Sequence, residues 1–141
     1  MDAVTRQSLP PEDYLALLGA CLCAFNSNNA FIIENILGSD EYNLSWYDLV
    51  DLEAGRLRPH VENIITKKSG SVSIANLFNE VVSMRNRIIH SFQITVDDGM
   101  QMLATKVKKT HEQFLITEDY LVSFLKKNEQ LCDLLHEYRG W

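Results

Sequence analysis

Apolar residues recur at helical spacing through most of the chain. Tyr14, Leu15, Leu18, Cys21, Leu22 and Phe25 lie three or four residues apart, and Ile32, Ile33 and Ile36 resume the pattern. This predicts a helix from the Pro10–Pro11 pair to about Leu37, open to interruption at Asn26–Asn29 and stopped by Gly38. Ser45 is placed to cap a second helix carrying Trp46, Leu49, Val50 and Leu52. Pro59 either kinks that helix or begins another holding Val61, Ile64 and Ile65. Ser73 caps a third helix, from Ile74 to about Ser91. Beyond it the period changes. Phe92, Ile94 and Val96 alternate with Gln93 and Thr95, which is a strand pattern. Asp98-Gly99 signals a tight turn, Met100–Lys108 can return as the partner strand, and Glu112–Ile116 adds a short third strand. Thr117 caps a last helix with apolar positions Tyr120, Leu121, Phe124, Leu125, Leu131, Leu134, Leu135 and Tyr138, ended by Gly140. The expected fold class is mainly α: one domain over residues 1–141, a helical bundle with a small β-hairpin inserted between its third and last long helices, and residues 1–8 as a flexible arm.

Composition narrows the function classes. With 141 residues and 46% hydrophobic content, the chain can bury a continuous core. The longest apolar run, Leu15–Phe25, falls short of the roughly 20 residues a bilayer span needs. The opening Met1-Asp2-Ala3 lacks the basic start of a secretory signal. A cytoplasmic protein without a membrane is therefore expected. Cys21, Cys23 and Cys132 form no paired motif. Cys21 and Cys23 sit about 200° apart on a helix, so they read as hydrophobes in a reducing compartment.

The net charge of −6 argues against a general nucleic-acid binder. Yet the charge is uneven: residues 85–110 hold five bases (Arg85, Arg87, Lys106, Lys108, Lys109) against two acids. An anionic ligand would meet that segment, unless the lysines are simply a solvated face.

Most catalytic patterns are absent, including a phosphate-binding glycine loop, a nucleophile elbow and H-E-x-x-H. His60, His111 and His136 are scattered and read as surface residues, and no histidine has metal-ligand spacing. One position breaks the helical pattern. On a wheel with Ile74 at 0°, Leu77, Phe78, Val81, Ile88, Ile89 and Phe92 fall within about 60° of zero, and Arg85 falls at about 20°, inside their stripe. Arg87 falls near 220°, on the opposite face. A charged side chain in an apolar stripe needs a partner, either an acid such as Glu34 or Glu62 or an anionic ligand. Asn86 and His90 are four apart and share a face. Arginine offers a permanent cation matched to phosphate, and histidine titrates near neutral pH. Together they suit phosphodiester cleavage in which RNA supplies its own 2′-hydroxyl nucleophile. Arg85 and His90, however, lie about 140° apart on an ideal helix, so either the helix unwinds before His90 or two copies of the motif face one another.

Arg85-Asn86-Arg87-Ile88-Ile89-His90 resembles the R-N-x-x-x-H motif of the HEPN superfamily, small helical proteins of toxin–antitoxin, phage-defence and RNA-processing systems. The segment Ser91–Lys108 with Phe114–Tyr120 is similar to a plasmid-associated bacterial subgroup. The resemblance implies a HEPN-like bundle and a metal-independent endoribonuclease that needs no cofactor and acts as a homodimer with a composite site. It makes Arg85 the phosphate clamp, His90 the general acid or base and Asn86 the orienting residue. RNA would be the substrate, its backbone guided by Arg87, Lys106, Lys108 and Lys109, and an antitoxin-like protein a further partner. The alternative within the family is a non-catalytic dimer that binds nucleotide or RNA or serves as a scaffold. One departure stands out: the tyrosine modified in relatives neutralised by nucleotidyl transfer is replaced here by Phe92.

Overall fold

The computed structural model describes residues 4–39, 44–107 and 109–140. It is mainly helical with a small antiparallel sheet. α1 (Glu12–Ser39) is one unbroken helix, running straight through Asn26–Asn29. Asn28 is buried there and keeps the helix whole, because its side chain finds a partner on a neighbouring helix rather than its own backbone. α2 (Trp46–Val50) is short. Ser45 Oγ accepts from the Asp48 amide at 3.2 Å as its cap.

α3 (Ala54–His60) contains Pro59. Proline removes one rung of the helical ladder, and the chain continues as a π-helical stretch, Val61–Thr66, then one α-turn, α4 (Lys67–Ser69). So Pro59 neither kinks the helix of Trp46, which has already ended at Val50, nor starts a new one. It sits inside one whose following turns are widened. Gly70, at φ +70°, reverses the chain.

α5 (Ser73–Ile89) begins at Ser73 itself. The serine two places earlier does the capping: Ser71 Oγ accepts the Ser73 amide at 3.2 Å. α5 ends two residues sooner than its periodicity predicts. β1 (Phe92–Thr95), β2 (Gln101–Lys106) and β3 (Gln113–Leu115) form a sheet in the order β1-β2-β3, with Phe92 opposite Ala104 and Ala104 opposite Leu115. Asp98 and Gly99 both take positive φ in the turn between β1 and β2. α6 (Glu118–Arg139) is capped by Thr117 Oγ1, which accepts the Tyr120 amide at 3.1 Å, and is closed by Gly140 at φ +84°.

α1 and α6 form the central pair. Cys21, Phe25, Ile32, Ile33 and Ile36 of α1 meet Leu121, Phe124, Leu131 and Leu135 of α6 in one core. The two helices run parallel. Cys21 Sγ donates to the Leu121 carbonyl at 3.4 Å, and Asn28 Nδ2 donates to the Asn128 carbonyl at 2.7 Å and to Asn128 Oδ1 at 3.1 Å. α5 lies against α6 in the opposite sense, with Lys127 bonded to Glu80 and the Tyr120 hydroxyl near the Met84 carbonyl. By length and composition alone α1 would pass as a bilayer-spanning helix, contrary to the count on Leu15–Phe25, because Asn26–Asn29 bring polarity without charge. In this fold its inner face is part of the core.

One side of the sheet turns toward the helices. Thr105 is buried, and the Phe114 ring lies 5.8 Å from that of Tyr120. Tyr14, at the start of α1, locks this arrangement. Its hydroxyl donates to the Ile116 carbonyl at 2.7 Å and accepts the Leu103 amide at 3.3 Å. Burial pushes its ionisation above the usual phenol range. Ahead of α1, Pro10 is buried and the Ser8 carbonyl accepts from Gln93 Nε2 at 2.6 Å.

Candidate functional site

The last turns of α5 carry the motif. Ile74, Ala75, Phe78, Val81, Val82 and Ile88 bury its core face. Arg85 shares that stripe but is only half-buried, and its side chain reaches α1. The guanidinium carbon stands 5.2 Å from the centroid of the Phe25 ring. Such a contact contributes about 0.5–2 kcal/mol, depending on how far it is desolvated. Arg85 Nη1 also lies 3.4 Å from Asn86 Oδ1, a long hydrogen bond. Among the described residues Arg85 has no carboxylate partner. Glu34 pairs instead with Arg139 at 3.5 Å, and Glu62 is exposed on the π-helical stretch. The closed structural ion pair that would have explained Arg85 is not formed by either acid.

His90 is the residue after the helix. Its backbone (φ −96°, ψ 31°) leaves the helical region, yet its amide still donates to the Asn86 carbonyl at 3.0 Å. The unwinding therefore begins at His90 rather than before it, and the separation from Arg85 stays near the 140° of an ideal helix. The side chain is exposed and, among the described residues, makes no hydrogen bond. Asn86 was expected to orient it. Asn86 faces Arg85 instead.

Between Arg85 and His90 on the helix surface lie Ile89, at about 60°, and Asn86, at about 120°. The four residues form a continuous strip on the final turn, with Ile89 45% exposed near its middle. α5 runs antiparallel to α1. Leu22, on α1 one turn before Phe25, is 37% exposed. Phe92, 40% exposed, follows on β1. The strip has an apolar side and a polar side. Two clefts of about 630 and 660 Å³ lie at the other end of the bundle, around Ser39 and Lys68, and touch none of the motif residues.

The other basic residues separate from this strip. Arg87 sits on the opposite face, but it is not merely solvated. Its Nη1 donates to the Lys106 carbonyl and ties α5 to β2. Its charge also works against the burial that raises the Tyr120 phenol. Lys106 Nζ lies 3.5 Å from His111 Nδ1, and Lys109 is exposed in the following turn. Lys108 lies outside the described residues. Arg87 and Lys106 are brought together, on a side of α5 away from Arg85. His136 packs against Phe31 at 4.7 Å between ring centroids, and His60 lines one of the distant clefts. Among the described residues, no three His, Cys, Asp or Glu side chains gather as a metal site requires.

Two features here have no signature in the sequence. Phe25 is one apolar residue of many on α1, and nothing in its spacing marks it as the platform for Arg85. Arg58 is ordinary in composition, yet its Nε is buried without a hydrogen-bond partner.

No protein-family model matches the chain, and neither does any curated protein or solved structure.

Proposed function

We propose that the chain is a HEPN-type, metal-independent endoribonuclease that acts as a homodimer, with Arg85, Asn86 and His90 as its site. The observation that carries this reading is Arg85, a half-buried guanidinium over an aromatic ring with no carboxylate beside it among the described residues. Such a cation is short of an anion, and its fork of N–H donors fits phosphate oxygens. A two-fold axis near Ile89 would set Arg85 of one copy against His90 of the other, which meets the 140° problem without bending the helix. Exposed Ile89 and Phe92, on the last turn of α5 and the start of β1, give such a contact an apolar centre.

The chemistry follows from the groups. One His90 accepts the proton of the RNA 2′-hydroxyl as its oxygen attacks phosphorus. The P–O5′ bond breaks, and the departing O5′ takes a proton from solvent water. Arg85 stabilises the charge that develops on the phosphoryl oxygens. The products are a 2′,3′-cyclic phosphate and a 5′-hydroxyl. Arg87, Lys106, Lys108 and Lys109 would guide the RNA strand from the flank. The setting is a toxin or phage-defence system in the cytoplasm, with an antitoxin-like protein as regulator. Phe92 lacks the hydroxyl for control by nucleotidyl transfer.

The test is cleavage of RNA in excess chelator by the wild-type chain and by Arg85→Ala. Chelator-resistant cleavage lost in the variant is the expected result. Activity that needs added magnesium, or that survives Arg85→Ala, refutes it. The second reading is a non-catalytic RNA- or nucleotide-binding dimer, favoured by the lack, among the described residues, of any hydrogen bond orienting His90. It predicts tight binding, lost in Arg85→Ala, with no cleavage at any pH.

A further inference from the structure

In the order β1-β2-β3, β1 is an edge strand. The bonds of β2 fix which of its groups face outward. The Leu103 amide donates to the Tyr14 hydroxyl, and the Leu103 carbonyl accepts the Ile116 amide at 2.9 Å, so Leu103 turns its main chain toward the β3 side. Gln93 stands opposite Leu103, and Thr95 opposite Gln101. Opposed residues of an antiparallel pair either bond each other or both turn away. Gln93 and Thr95 therefore aim their amides and carbonyls at the open side. Phe92 and Ile94 aim theirs at β2, as does Val96, whose amide donates to the Met100 carbonyl at 2.8 Å. Among the described residues nothing bonds the outward groups. Both side chains are tied inward instead: Gln93 Nε2 donates to the Ser8 carbonyl and to Gln101 Oε1, and Thr95 Oγ1 accepts from Gln101 Nε2. Folded chains normally blunt such an edge with a charge, a proline or a bulge. Ser91–Val96 has no charge and no proline, and the register of β1 runs without a bulge.

We propose that β1 pairs antiparallel with β1 of a second copy, about a two-fold axis at Ile94. In this register Gln93 stands opposite Thr95 of the second copy, and their outward amides and carbonyls satisfy one another. Ile94 meets its own copy, and Phe92, at the margin, meets Val96. The apolar face of one strand thus continues into the apolar face of the other, as aromatic and β-branched cross-strand pairs favour. A slip of one residue would set outward groups against inward ones. An axis at Thr95 would set Gln93 against Asp97, outside the strand. This self-match picks out a second copy as the occupant. Phe92 and its copy then lie about 14 Å apart along the ribbon, at about 3.4 Å per residue, with the two Arg85–His90 motifs beyond them at opposite ends. The contact is therefore separate from one through Ile89. It joins dimers into a larger assembly, a consequence that rests on the homodimer proposed above, whereas the pairing itself does not.

The experiment is disulfide trapping. In a Cys23→Ser background, Ile94→Cys places its sulfurs on a non-hydrogen-bonded pair with Cα atoms about 4.5 Å apart, within disulfide range. Val96→Cys is the register control, because Val96 and its copy lie about 14 Å apart, out of range. Mild oxidation of Ile94→Cys should give about tenfold more covalent dimer than Val96→Cys. Thr95→Pro removes an outward amide without touching the β2 ladder, a place where an edge strand tolerates proline. Added to Ile94→Cys, it should abolish the crosslink. A second measurement needs no variant: in the wild-type chain the Gln93 and Thr95 amides should gain protection from hydrogen exchange as protein concentration rises. Equal crosslinking of the two cysteine variants, a crosslink that survives Thr95→Pro, or Gln93 and Thr95 amides that exchange as freely as exposed ones at every concentration would overturn the proposal. Chelator-resistant RNA cleavage without the Ile94→Cys crosslink refutes this contact and leaves the assigned function standing. The crosslink in a chain that cleaves no RNA does the reverse.

Discussion

Truncating either asparagine of the buried pair between α1 and α6 should destabilise the protein, and by unequal amounts. Asn28 Nδ2 donates to both the carbonyl and the side-chain oxygen of Asn128, whereas Asn128 Nδ2 donates to the Phe124 carbonyl within its own helix. Asn28→Ala leaves Asn128 Oδ1 buried with no donor, at a cost of about 1–3 kcal/mol. The volume lost from a core this close-packed adds about 1 kcal/mol. Asn128→Ala leaves Asn28 Nδ2 its shorter bond, the 2.7 Å contact with the backbone carbonyl. That change should cost about 1–2 kcal/mol. The double alanine variant has no orphaned oxygen, so it should be less destabilised than the sum of the two by about 1 kcal/mol or more. Urea unfolding of the four proteins closes the cycle. At roughly 3–4 °C per kcal/mol for a domain of this size, melting temperatures would show the same order. Equal costs for the two single variants, with additivity within about 0.3 kcal/mol, would refute the account.

Arg87→Ala should cost on the order of 1 kcal/mol by releasing the Lys106 carbonyl, read as faster amide exchange across β2, whereas Arg85→Ala should leave β2 exchange as it is. Cys23, exposed, should alkylate in the native protein, while Cys21, fully buried, should react only on unfolding, as mass spectrometry after timed labelling can show. Burial pushes the Cys21 thiol up to about 11. The unfolded chain then ionises this group first, so its stabilising contribution is full below about pH 8.5–9 and declines as pH rises toward the folded value. Cys21→Ala should flatten that alkaline fall in a pH series of denaturant titrations, and an identical slope would refute the assignment.

Much of the fold was legible because its signals are local. The Thr117 cap, the strand alternation from Phe92 and the Gly140 stop each depend on a few adjacent residues, and the structure has them where the pattern puts them. The departures come from contacts distant in sequence. Asn26–Asn29 looked like a break because asparagine competes with helical hydrogen bonds, but Asn28 is satisfied from α6. The third helix stops at Ile89 rather than Ser91 because the chain must turn into a sheet that Tyr14, at the start of α1, holds by the Leu103 amide. At the candidate site the wheel placed Arg85 on the core face, and its half-buried stack on Phe25 agrees with that placement. It gave no hint that Arg87 would bridge to β2, since that contact exists only after the sheet folds back on α5.

His90 stands at the corner where α5 gives way to β1, and that corner is braced from a distance. β1 is laced to β2, and the β2 amide at Leu103 rests on the Tyr14 hydroxyl, which also grips Ile116 at the entry to α6. The main chain at the corner is thus fixed by three remote stretches of sequence, while the imidazole beyond it touches no hydrogen-bond partner among the described residues. The result is a rotor on a rigid post. Swinging between two positions costs this ring only side-chain torsion, so it can turn toward either side of the corner without disturbing the helix that carries it.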